Sequence, residues 1–535
     1  MGVRLVVLPV IENALWTALS WIYVFAALAL ATYALHAYGI LAVLLRHSRR
    51  SKNQTDALVA RGFDELDRNK RWPDVLTQLP LYNEANVAER VIRATAAMEY
   101  PGRHRIQVLD DSTDYCRSVV EVCVAALQKS GVNIQLVRRA NRHGFKAGAL
   151  SDGLELDPAE FVAVFDADFV PPTDFLLRSI SALVGDSRIG FVQGRWSFLN
   201  ECDSLLTRAQ AVGLDSHFAL EQDARSSHPE FFMNFNGTAG VWRRQAIQEA
   251  GGWSAETLTE DLDLSYRVQV AGWRGLYLPA LAVPGELPQT FSAYKSQQFR
   301  WAKGSMQVAV KMLPAIIQSK NISLSGKFEC AVHLTHYAVH PMLLIVVLLG
   351  PWLWIGDHLT VMPGIIGATL LLASFAPTVF YAAGQRRLHT DWLVRLLRLP
   401  ALTLAGMGLA IGNTKAVVEA IVGRKSPFVR TPKTGACAKS SYSVSSPVHF
   451  GWEITLAIYS LIGAGIALAS GSFGAMQFGC LASASFFYVG IGSLLEAYQN
   501  GSIKKRIPQV GISIPDMQSA AIAESGARGG DLNPH

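Results

Sequence analysis

The chain has 535 residues, more than one domain usually contains, and half of them are apolar while only 17% are charged. This composition excludes a wholly soluble protein and predicts that part of the chain lies in a lipid bilayer. The net charge of +6 is modest, and the basic residues cluster beside apolar segments, which favours membrane topology over nucleic-acid binding. The six cysteines include no C-x-x-C pair, so neither a disulfide framework nor a zinc site is indicated.

The first predicted element is a transmembrane helix within residues 1–52. Residues 14–45 carry no Asp, Glu, Lys or Arg, and this run is longer than the roughly 20 residues that a spanning helix needs. A cleaved signal peptide is the alternative, but the run is too long and little positive charge precedes it. Basic residues from Arg46 to Lys52 follow the run, whereas Arg4 alone precedes it, so residue 50 onward is predicted to be cytosolic.

The next predicted unit is a cytosolic α/β domain over residues 72–327. Short apolar runs alternate there with longer amphipathic stretches, as strands alternate with helices around a largely parallel sheet. The predicted strands are Val75–Leu79, Ile106–Leu109, Ile134–Val137, Phe161–Phe165 and Ile189–Val192. Ligands of such sheets bind beyond the carboxyl ends of the strands, so polar residues at those ends are the first candidates for a site.

Asp166 and Asp168 directly follow one of these predicted strands. Two carboxylates one residue apart can hold Mg²⁺ or Mn²⁺, and such an ion can bridge diphosphate oxygens and neutralise the charge of a leaving nucleotide. A solvated turn is the alternative for an isolated D-x-D. The strand before the pair and Pro171-Pro172 after it favour the metal site.

A second acidic pair, Asp110-Asp111, follows an earlier strand, where it can hydrogen-bond the base and ribose of a nucleoside or act as a structural cap. Arg139, Arg142 and Lys146 lie beside a flexible glycine turn, and such cations suit a diphosphate. As isolated basic residues they would more often form a solvated face. With the D-x-D, these motifs predict a nucleotide-sugar site.

Sugar transfer with inversion needs a base that deprotonates the acceptor hydroxyl as the anomeric carbon is attacked from the opposite side. Asp261, at a helix-start-like Thr-Glu-Asp, is the candidate, and a helix N-cap is its alternative role. Gln297, Arg300 and Trp301 are spaced to share one helix face and offer an amide, a guanidinium for phosphate and an indole plate for a sugar. A core tryptophan with a surface arginine is the alternative there.

Four further crossings, in two pairs, are predicted after the α/β domain. The pairs lie within 328–390 and 447–500 and cover residues 331–355, 359–383, 452–470 and 473–495. The apolar run 399–411 has basic residues on both sides, so within 391–440 it is predicted to lie in the interface or to re-enter. Five crossings place the C-terminus in the cytosol, and residues 508–535 are predicted to be disordered.

Three histidines, His333, His336 and His340, fall on one face of the first helix predicted after the domain. Intramembrane polar residues usually face the interior of a helix bundle. Lining a polar path is therefore the main interpretation, and a metal site is the alternative.

These motifs resemble those of the membrane-embedded, processive glycosyltransferase family 2 enzymes, typified by cellulose synthase. The resemblance spans about residues 72–435 and is strong for the plant cellulose-synthase-like A and C groups, which make mannan, glucomannan and glucan backbones. It rests on Leu109–Asp114, Gly144–Leu150, Phe165–Phe169, Phe235–Arg243 and Gln297–Trp301. Five motifs in this order are specific for the family, though not for the sugar.

The resemblance implies a GT-A (nucleotide-diphospho-sugar transferase) domain of the α/β class, inserted between transmembrane helices. With Lys146 from the basic turn, it assigns Asp110, Asp111 and Asp166 to the nucleotide sugar, Asp166 and Asp168 to Mg²⁺ or Mn²⁺, and Asp261 to the base. It assigns the acceptor and pyrophosphate to Phe235, Asn236, Gly237, Thr238, Glu260, Gln297, Arg300 and Trp301. The segment Phe428-Val-Arg-Thr-Pro-Lys433 is similar to a gating loop of the pattern F-x-V-T-x-K, and Phe428, Thr431 and Lys433 are its candidate residues. Its residue order Val-Arg-Thr-Pro departs from that pattern.

The sequence therefore predicts an inverting, processive β-glycosyltransferase that polymerises hexose from UDP-glucose or GDP-mannose into a β-glucan or mannan. The growing polysaccharide would be translocated across a plasma, inner or Golgi-type membrane, with no nucleic acid involved. A non-processive enzyme that adds one sugar to a lipid is the alternative, and a transporter with a degenerate domain is disfavoured because all the acids are present. The donor, the linkage, secretion subunits and homo-oligomers stay open.

Overall fold

The computed structural model of the chain contains an α/β domain between long apolar helices. It describes residues 2–355, 364–426, 430, 433, 435, 446 and 448–506, and it describes side chains outside 2–11, 48–52, 364–366 and 500–506. The predicted tail 508–535 and two gating-loop candidates, Phe428 and Thr431, lie outside these residues. Residues 1–493 form one compact unit, and the described part of 494–535 is the end of the last helix.

The helices and strands run in chain order as follows. Up to the last strand they are α1 (Gly2–Asn69), β1 (Val75–Leu81), α2 (Ala85–Ala96), β2 (His104–Asp110), α3 (Cys116–Lys129), β3 (Ile134–Val137), α4 (Phe145–Glu155), β4 (Phe161–Val164), α5 (Phe175–Gly185), β5 (Ile189–Phe198), α6 (Leu205–Ser216), α7 (Asp223–Ser227), β6 (Gly240–Arg243), α8 (Arg244–Glu249), α9 (Glu260–Val270) and β7 (Arg274–Gly285). After the sheet come α10 (Phe291–Gln318), α11 (Leu324–Thr335), α12 (Val339–Ile355), α13 (Gly364–Leu388), α14 (Trp392–Arg395), α15 (Leu399–Gly408), α16 (Ala410–Ile421), α17 (Phe450–Ala469) and α18 (Phe473–Arg506).

The seven strands among the described residues form one sheet in the order β3-β2-β1-β4-β6-β5-β7. All neighbours are parallel except β6, which runs antiparallel to β4 and β5. The five predicted strands and the largely parallel sheet are confirmed. The sequence missed β6, which has only four residues, and β7, whose Pro279 and Pro284 argue against a strand. Pro279 is tolerated because it falls in a register break between Leu278 and Ala282.

Helices cover both faces of the sheet. Along β4 the side chains of Phe161 and Ala163 join a core layer with α2, α3 and α5, while Val162 and Val164 join a layer with α4, α8 and α9. This is the alternation that a strand buried on both faces produces. The carboxyl ends of the parallel strands are left open, and there the site lies.

Within the part of the chain that the structure describes, five stretches are long and apolar enough to cross a membrane. They are Glu12–His47, Leu324–Ile355, Gly367–Leu388, Phe450–Ala469 and Phe473–Gln499. Each overlaps one of the five predicted crossings, and the first residues of the predicted crossing 359–383 lie outside the described residues. A sixth apolar unit, Trp392–Gly408 with Ala410–Ile421, is bent by 44° and is therefore a broken span or a re-entrant segment. It contains the run predicted to be interfacial or re-entrant.

Helix α1 continues well past the predicted boundary at residue 52 and packs on the α/β domain. A Cβ on Gly62 would lie 1.8 Å from the Ser181 carbonyl oxygen, and one on Gly185 would lie 2.5 Å from the Leu58 carbonyl oxygen. Helices α1 and α5 thus touch backbone to backbone, and Arg61 donates to the Gly185 carbonyl. The first apolar segment and the domain are consequently joined by one unbroken helix.

Candidate active site

One cavity at the carboxyl ends of the strands contains most of the predicted site residues. Among those lining it are Asp111, Lys146, Asp166, Asp168, Asn236, Gly237, Glu260, Asp261, Gln297, Arg300, Trp301 and Lys433. These side chains come from segments more than 300 residues apart in sequence, from Asp111 to Lys433. The fold therefore brings the acids, the basic turn and the residues Gln297, Arg300 and Trp301 of α10, called the α10 motif below, to one place.

The two acids at the end of β2 have different surroundings. Asp111 lines the cavity and pairs with Arg139, whose Nε lies 3.0 Å from Oδ1. Asp110 is turned into its own loop, where it accepts from the Ser112 amide at 3.0 Å and pairs with Arg138 at 3.1 Å. Asp110 thus has the geometry of the structural cap, while Asp111 is the acid that a nucleoside can reach.

The D-x-D carboxylates are each paired with a lysine. Lys146 Nζ lies 2.7 Å from Asp166 and 3.3 Å from Glu260, and Lys433 Nζ lies 2.6 Å from Asp168. Burial alone would lower the pKa of Lys146, but the neighbouring carboxylates of Asp166 and Glu260 outweigh it and raise the pKa. Both lysines therefore place positive charge beside the two D-x-D carboxylates, and cations of this kind suit a diphosphate.

Asp166 and Asp168 suit a hard divalent cation. Their carboxylates are oxygen donors at a strand end, and Asp168 is almost fully buried. Within the residues that the structure describes, no three His, Cys, Asp or Glu side chains cluster as a metal site. A cation here would therefore complete its coordination with phosphate oxygens and water, as Mg²⁺ sites commonly do.

Asp261 lies in the first turn of α9, after Thr259 at the N-cap position. It is thus not the N-cap that was its alternative role. Burial and the adjacent Glu260 raise the pKa of Asp261 to about 7, and Lys146 opposes them. A carboxylate with a pKa near the working pH is suited to accept a proton.

The α10 motif faces the cavity because α10 packs tightly on the start of α9. A Cβ on Gly304 would lie 2.4 Å from Thr259 Cγ2, so only glycine permits this approach. Two buried ion pairs bracket the motif: Lys295 to Glu453 of α17 at 2.5 Å, and Lys303 to Glu419 of α16 at 2.8 Å. The helix that carries Gln297, Arg300 and Trp301 is therefore fixed between α9 and the apolar helices.

The predicted acceptor segment 235–238 divides between cavity and core. Asn236 and Gly237 line the cavity, and the Gly237 carbonyl accepts from Lys146 at 2.8 Å. Phe235 packs in the core against Phe191 and Trp242. Thr238 Oγ1 accepts from the Asp166 amide at 2.9 Å, so it fixes the backbone of the D-x-D segment.

Sequence reasoning missed four charged residues beside the cavity. Glu84 pairs with Arg430 at 3.1 Å, and Glu286 pairs with Arg90 at 2.7 Å. Burial and the nearby D-x-D carboxylates raise the pKa of Glu84 to about 7, against the opposing charge of Arg430. Glu84 follows β1, so the strand-end rule that found the other acids could have found it, whereas Glu286 follows the unpredicted β7.

The three histidines do not share one continuous α-helix as predicted. Residues 336–338 form a 3₁₀ turn between α11 and α12, and Pro341 stands in the first turn of α12. His333 contacts the Tyr266 hydroxyl at 2.6 Å, and His340 contacts Asn413 at 2.9 Å. The rings of His333 and His340 are thus each held by a polar side chain, and His336 Nδ1 lies 2.7 Å from the His333 carbonyl oxygen.

Residues 73–304 match the family model described as glycosyltransferase like family 2. The segment 73–304 is a family 2 glycosyltransferase domain. Its mixed seven-stranded sheet, with acids at the carboxyl ends of strands, has the GT-A architecture implied by the sequence resemblance. The match covers the D-x-D, Asp261 and the α10 motif.

Curated proteins similar to this chain include two plant enzymes. Glucomannan 4-beta-mannosyltransferase 1 of Cyamopsis tetragonoloba is 43% identical over 297 residues, which cover 54% of this chain and 55% of that protein. Glucomannan 4-beta-mannosyltransferase 9 of Arabidopsis thaliana is 44% identical over 264 residues, or 48% and 49% of the two chains. The chain thus spans about half the length of the curated relatives it matches.

Among solved structures, the mannosyltransferase PcManGT from Pyrobaculum calidifontis, in complex with GDP-Man and Mn²⁺, is similar at 19% identity and a TM-score of 0.43. The similarity covers 74% of this chain and 100% of that one.

Proposed function

We propose that the chain is a membrane-embedded β-glycosyltransferase that transfers mannose from GDP-mannose to a growing β-linked polysaccharide. The observation that carries the proposal is the single cavity in which the D-x-D, Asp261 and Trp301 meet within a family 2 domain. The names of the curated relatives support mannose as the transferred unit. UDP-glucose stays the second candidate donor because neither acid motif reads the configuration at C2.

At the donor end, Asp111 and Tyr82 would bind the nucleoside. The Arg142 guanidinium lies over the Tyr82 ring, 3.3 Å from its centroid. Lys146 and Lys433 supply charge for the diphosphate. Mg²⁺ or Mn²⁺ held by Asp166 and Asp168 would neutralise the leaving nucleoside diphosphate. The lysines now paired with these acids are placed to bind phosphate oxygens instead.

For the chemical step, the proposal assigns the general base to Asp261. Its carboxylate takes the proton of the acceptor hydroxyl, whose oxygen attacks the anomeric carbon from the face opposite the diphosphate. The bond from that carbon to the diphosphate breaks, and its electrons leave with the nucleotide. Inversion of an α-linked donor then gives a β-linked product.

At the acceptor end, Trp301 offers an indole face for the terminal sugar, while Gln297 and Arg300 offer hydrogen bonds. Processive extension is supported by the position of α10, which is tied by Lys295 and Lys303 to two apolar helices. A chain leaving Trp301 therefore starts beside helices that can receive it. The proposed setting is a plasma, inner or Golgi-type membrane with the domain in the cytosol.

The test uses purified protein in lipid nanodiscs with Mn²⁺ or Mg²⁺ and each labelled nucleotide sugar in turn. We expect GDP-mannose to yield a β-linked polymer that a β-mannanase degrades. Turnover of UDP-glucose alone would replace mannose by glucose in the proposal. A product limited to one sugar on a lipid would refute polymerisation.

A further inference from the structure

A π-helical segment lies directly behind the acceptor side of the cavity. Residues His217–Gln222 form this segment between α6 and α7. In an α-helix, residues five apart point about 140° away from each other. In a π turn the i→i+5 hydrogen bond brings residue i+5 to the face of residue i, and such turns are frequent at functional sites.

This local geometry lets two side chains reach one amide. Asn236 Nδ2 lies 3.3 Å from His217 Nε2, and Asn236 Oδ1 accepts from Gln222 Nε2. His217 and Gln222 are five residues apart, so a regular α-helix would point one of them elsewhere. The π turn thus explains how the Asn236 side chain is held at both ends.

The other nitrogen of His217 fixes its tautomer. His217 Nδ1 lies 2.6 Å from the Glu221 carboxylate, so Nδ1 carries the hydrogen and Nε2 is free to accept from Asn236. Burial alone would raise the pKa of Glu221, but the hydrogen bond that its carboxylate accepts from His217 Nδ1 lowers the pKa below its ordinary value. Glu221 is therefore ionised and acts as a fixed acceptor.

The amide so oriented lies at the reacting end of the cavity. Asn236 lines the cavity, and the carbonyl of its neighbour Gly237 accepts from Lys146, while a Cβ added to Gly237 would lie 3.0 Å from Asp261 Oδ2. The Asn236 backbone amide also donates to Gln193 Oε1 at 2.9 Å, which fixes the backbone. Asn236 Nδ2 has two hydrogens, and the residues that the structure describes supply an acceptor for one of them.

We propose that His217, held by Glu221, is a positioning residue that aims the second Nδ2 hydrogen of Asn236 at a hydroxyl oxygen of the sugar beside Asp261. This inference rests on the proposed function. It adds to that function a hydrogen-bonded chain, Glu221–His217–Asn236, that orients the acceptor sugar in the cavity. Neither His217 nor Glu221 belongs to any of the motifs in the sequence.

The test is a double-mutant cycle between His217→Ala and Asn236→Ala. In each variant, the KM for an oligosaccharide acceptor is compared with the KM for the nucleotide sugar. We expect each single change to lower transfer about tenfold, the cost of one lost hydrogen bond to substrate, through the acceptor KM. The double variant should match Asn236→Ala alone, because His217 acts through Asn236. His217→Gln, whose amide oxygen can accept from Asn236, should recover most of the activity.

The matched control is His389→Ala, which removes a histidine 2.8 Å from Asp215 on the adjoining helix α6 but away from the cavity. It should leave the ratio of the two KM values unchanged. The inference alone would be overturned if the losses of transfer in the two single variants multiplied in the double variant. It would also be overturned if His389→Ala changed the ratio of the two KM values as much as His217→Ala does, or if His217→Gln recovered no activity. A wild type that turns over neither nucleotide sugar would overturn the proposed function and this inference with it.

Discussion

Gly237 lies against Asp261, and a Cβ on Gly237 would come within 3.0 Å of the Asp261 Oδ2 atom. Its φ of +79° is also one that side-chain-bearing residues rarely adopt. The glycine therefore sets the space in front of the proposed base.

Gly237→Ala should lower the transfer rate by at least about tenfold, since a displaced Asp261 loses alignment with the acceptor hydroxyl. The matched control is Gly252→Ala, at φ +78° with nothing within 4 Å of the added Cβ. Both changes should cost about 1–2 kcal/mol of backbone strain. Equal transfer rates in the two variants, at equal melting temperatures, would show that the contact with Asp261 is unimportant.

The pH dependence of transfer should follow Asp261. Burial and Glu260 raise its pKa to about 7, so the carboxyl group is protonated and inactive as a base below that pH. The acceptor kcat/KM should rise about tenfold per pH unit below neutrality and level off above it. Glu260→Gln removes a like charge and should move the midpoint to lower pH; a shift to higher pH would contradict the assigned cause.

Asp168→Ala should remove the part of nucleotide binding that depends on the divalent cation, because one of two carboxylate donors is lost. Titration of GDP-mannose with and without Mn²⁺ measures this difference. Asp174→Ala is the control, since that half-exposed acid lies six residues further on and pairs weakly with Arg178 at 3.6 Å. Undiminished stimulation by Mn²⁺ in Asp168→Ala would exclude Asp168 as a ligand.

Trp301→Ala should raise the acceptor KM by about tenfold or more and leave nucleotide affinity nearly unchanged, because the loss of a stacking face costs about 1–3 kcal/mol. Trp301→Phe keeps an aromatic face and should retain most of the activity. Loss of nucleotide binding in Trp301→Ala would place the indole at the donor instead.

The sequence predicted the strands that carry the site because β1 to β5 are short apolar runs that end in turns with charged residues. It placed both acid pairs at the carboxyl ends of strands for the same reason. It missed β7 because Pro279 breaks the pattern of a strand, and only the register break in the folded sheet accommodates that proline. Glu286 was missed with it.

Other features depend on contacts that no local pattern encodes. Asp110 and Asp111 are adjacent and chemically identical, yet the loop turns one inward and the other to the cavity. His217 and Gln222 both reach Asn236 because a π turn lies between α6 and α7. Beyond residue 52, α1 packs on α5 through glycine contacts. The basic residues that set the predicted boundary carry no information about those contacts.

The central claim, that Asp261 is the base of a polymerising β-glycosyltransferase, is tested most directly by Asp261→Asn in nanodiscs with labelled GDP-mannose. Nucleotide binding and polymer formation are measured on the same samples, and the linkage of any polymer is analysed. We predict that the wild type forms a β-linked polymer and that the variant binds the nucleotide with similar affinity but forms none. Polymer formation by Asp261→Asn at a rate near that of the wild type would contradict the account.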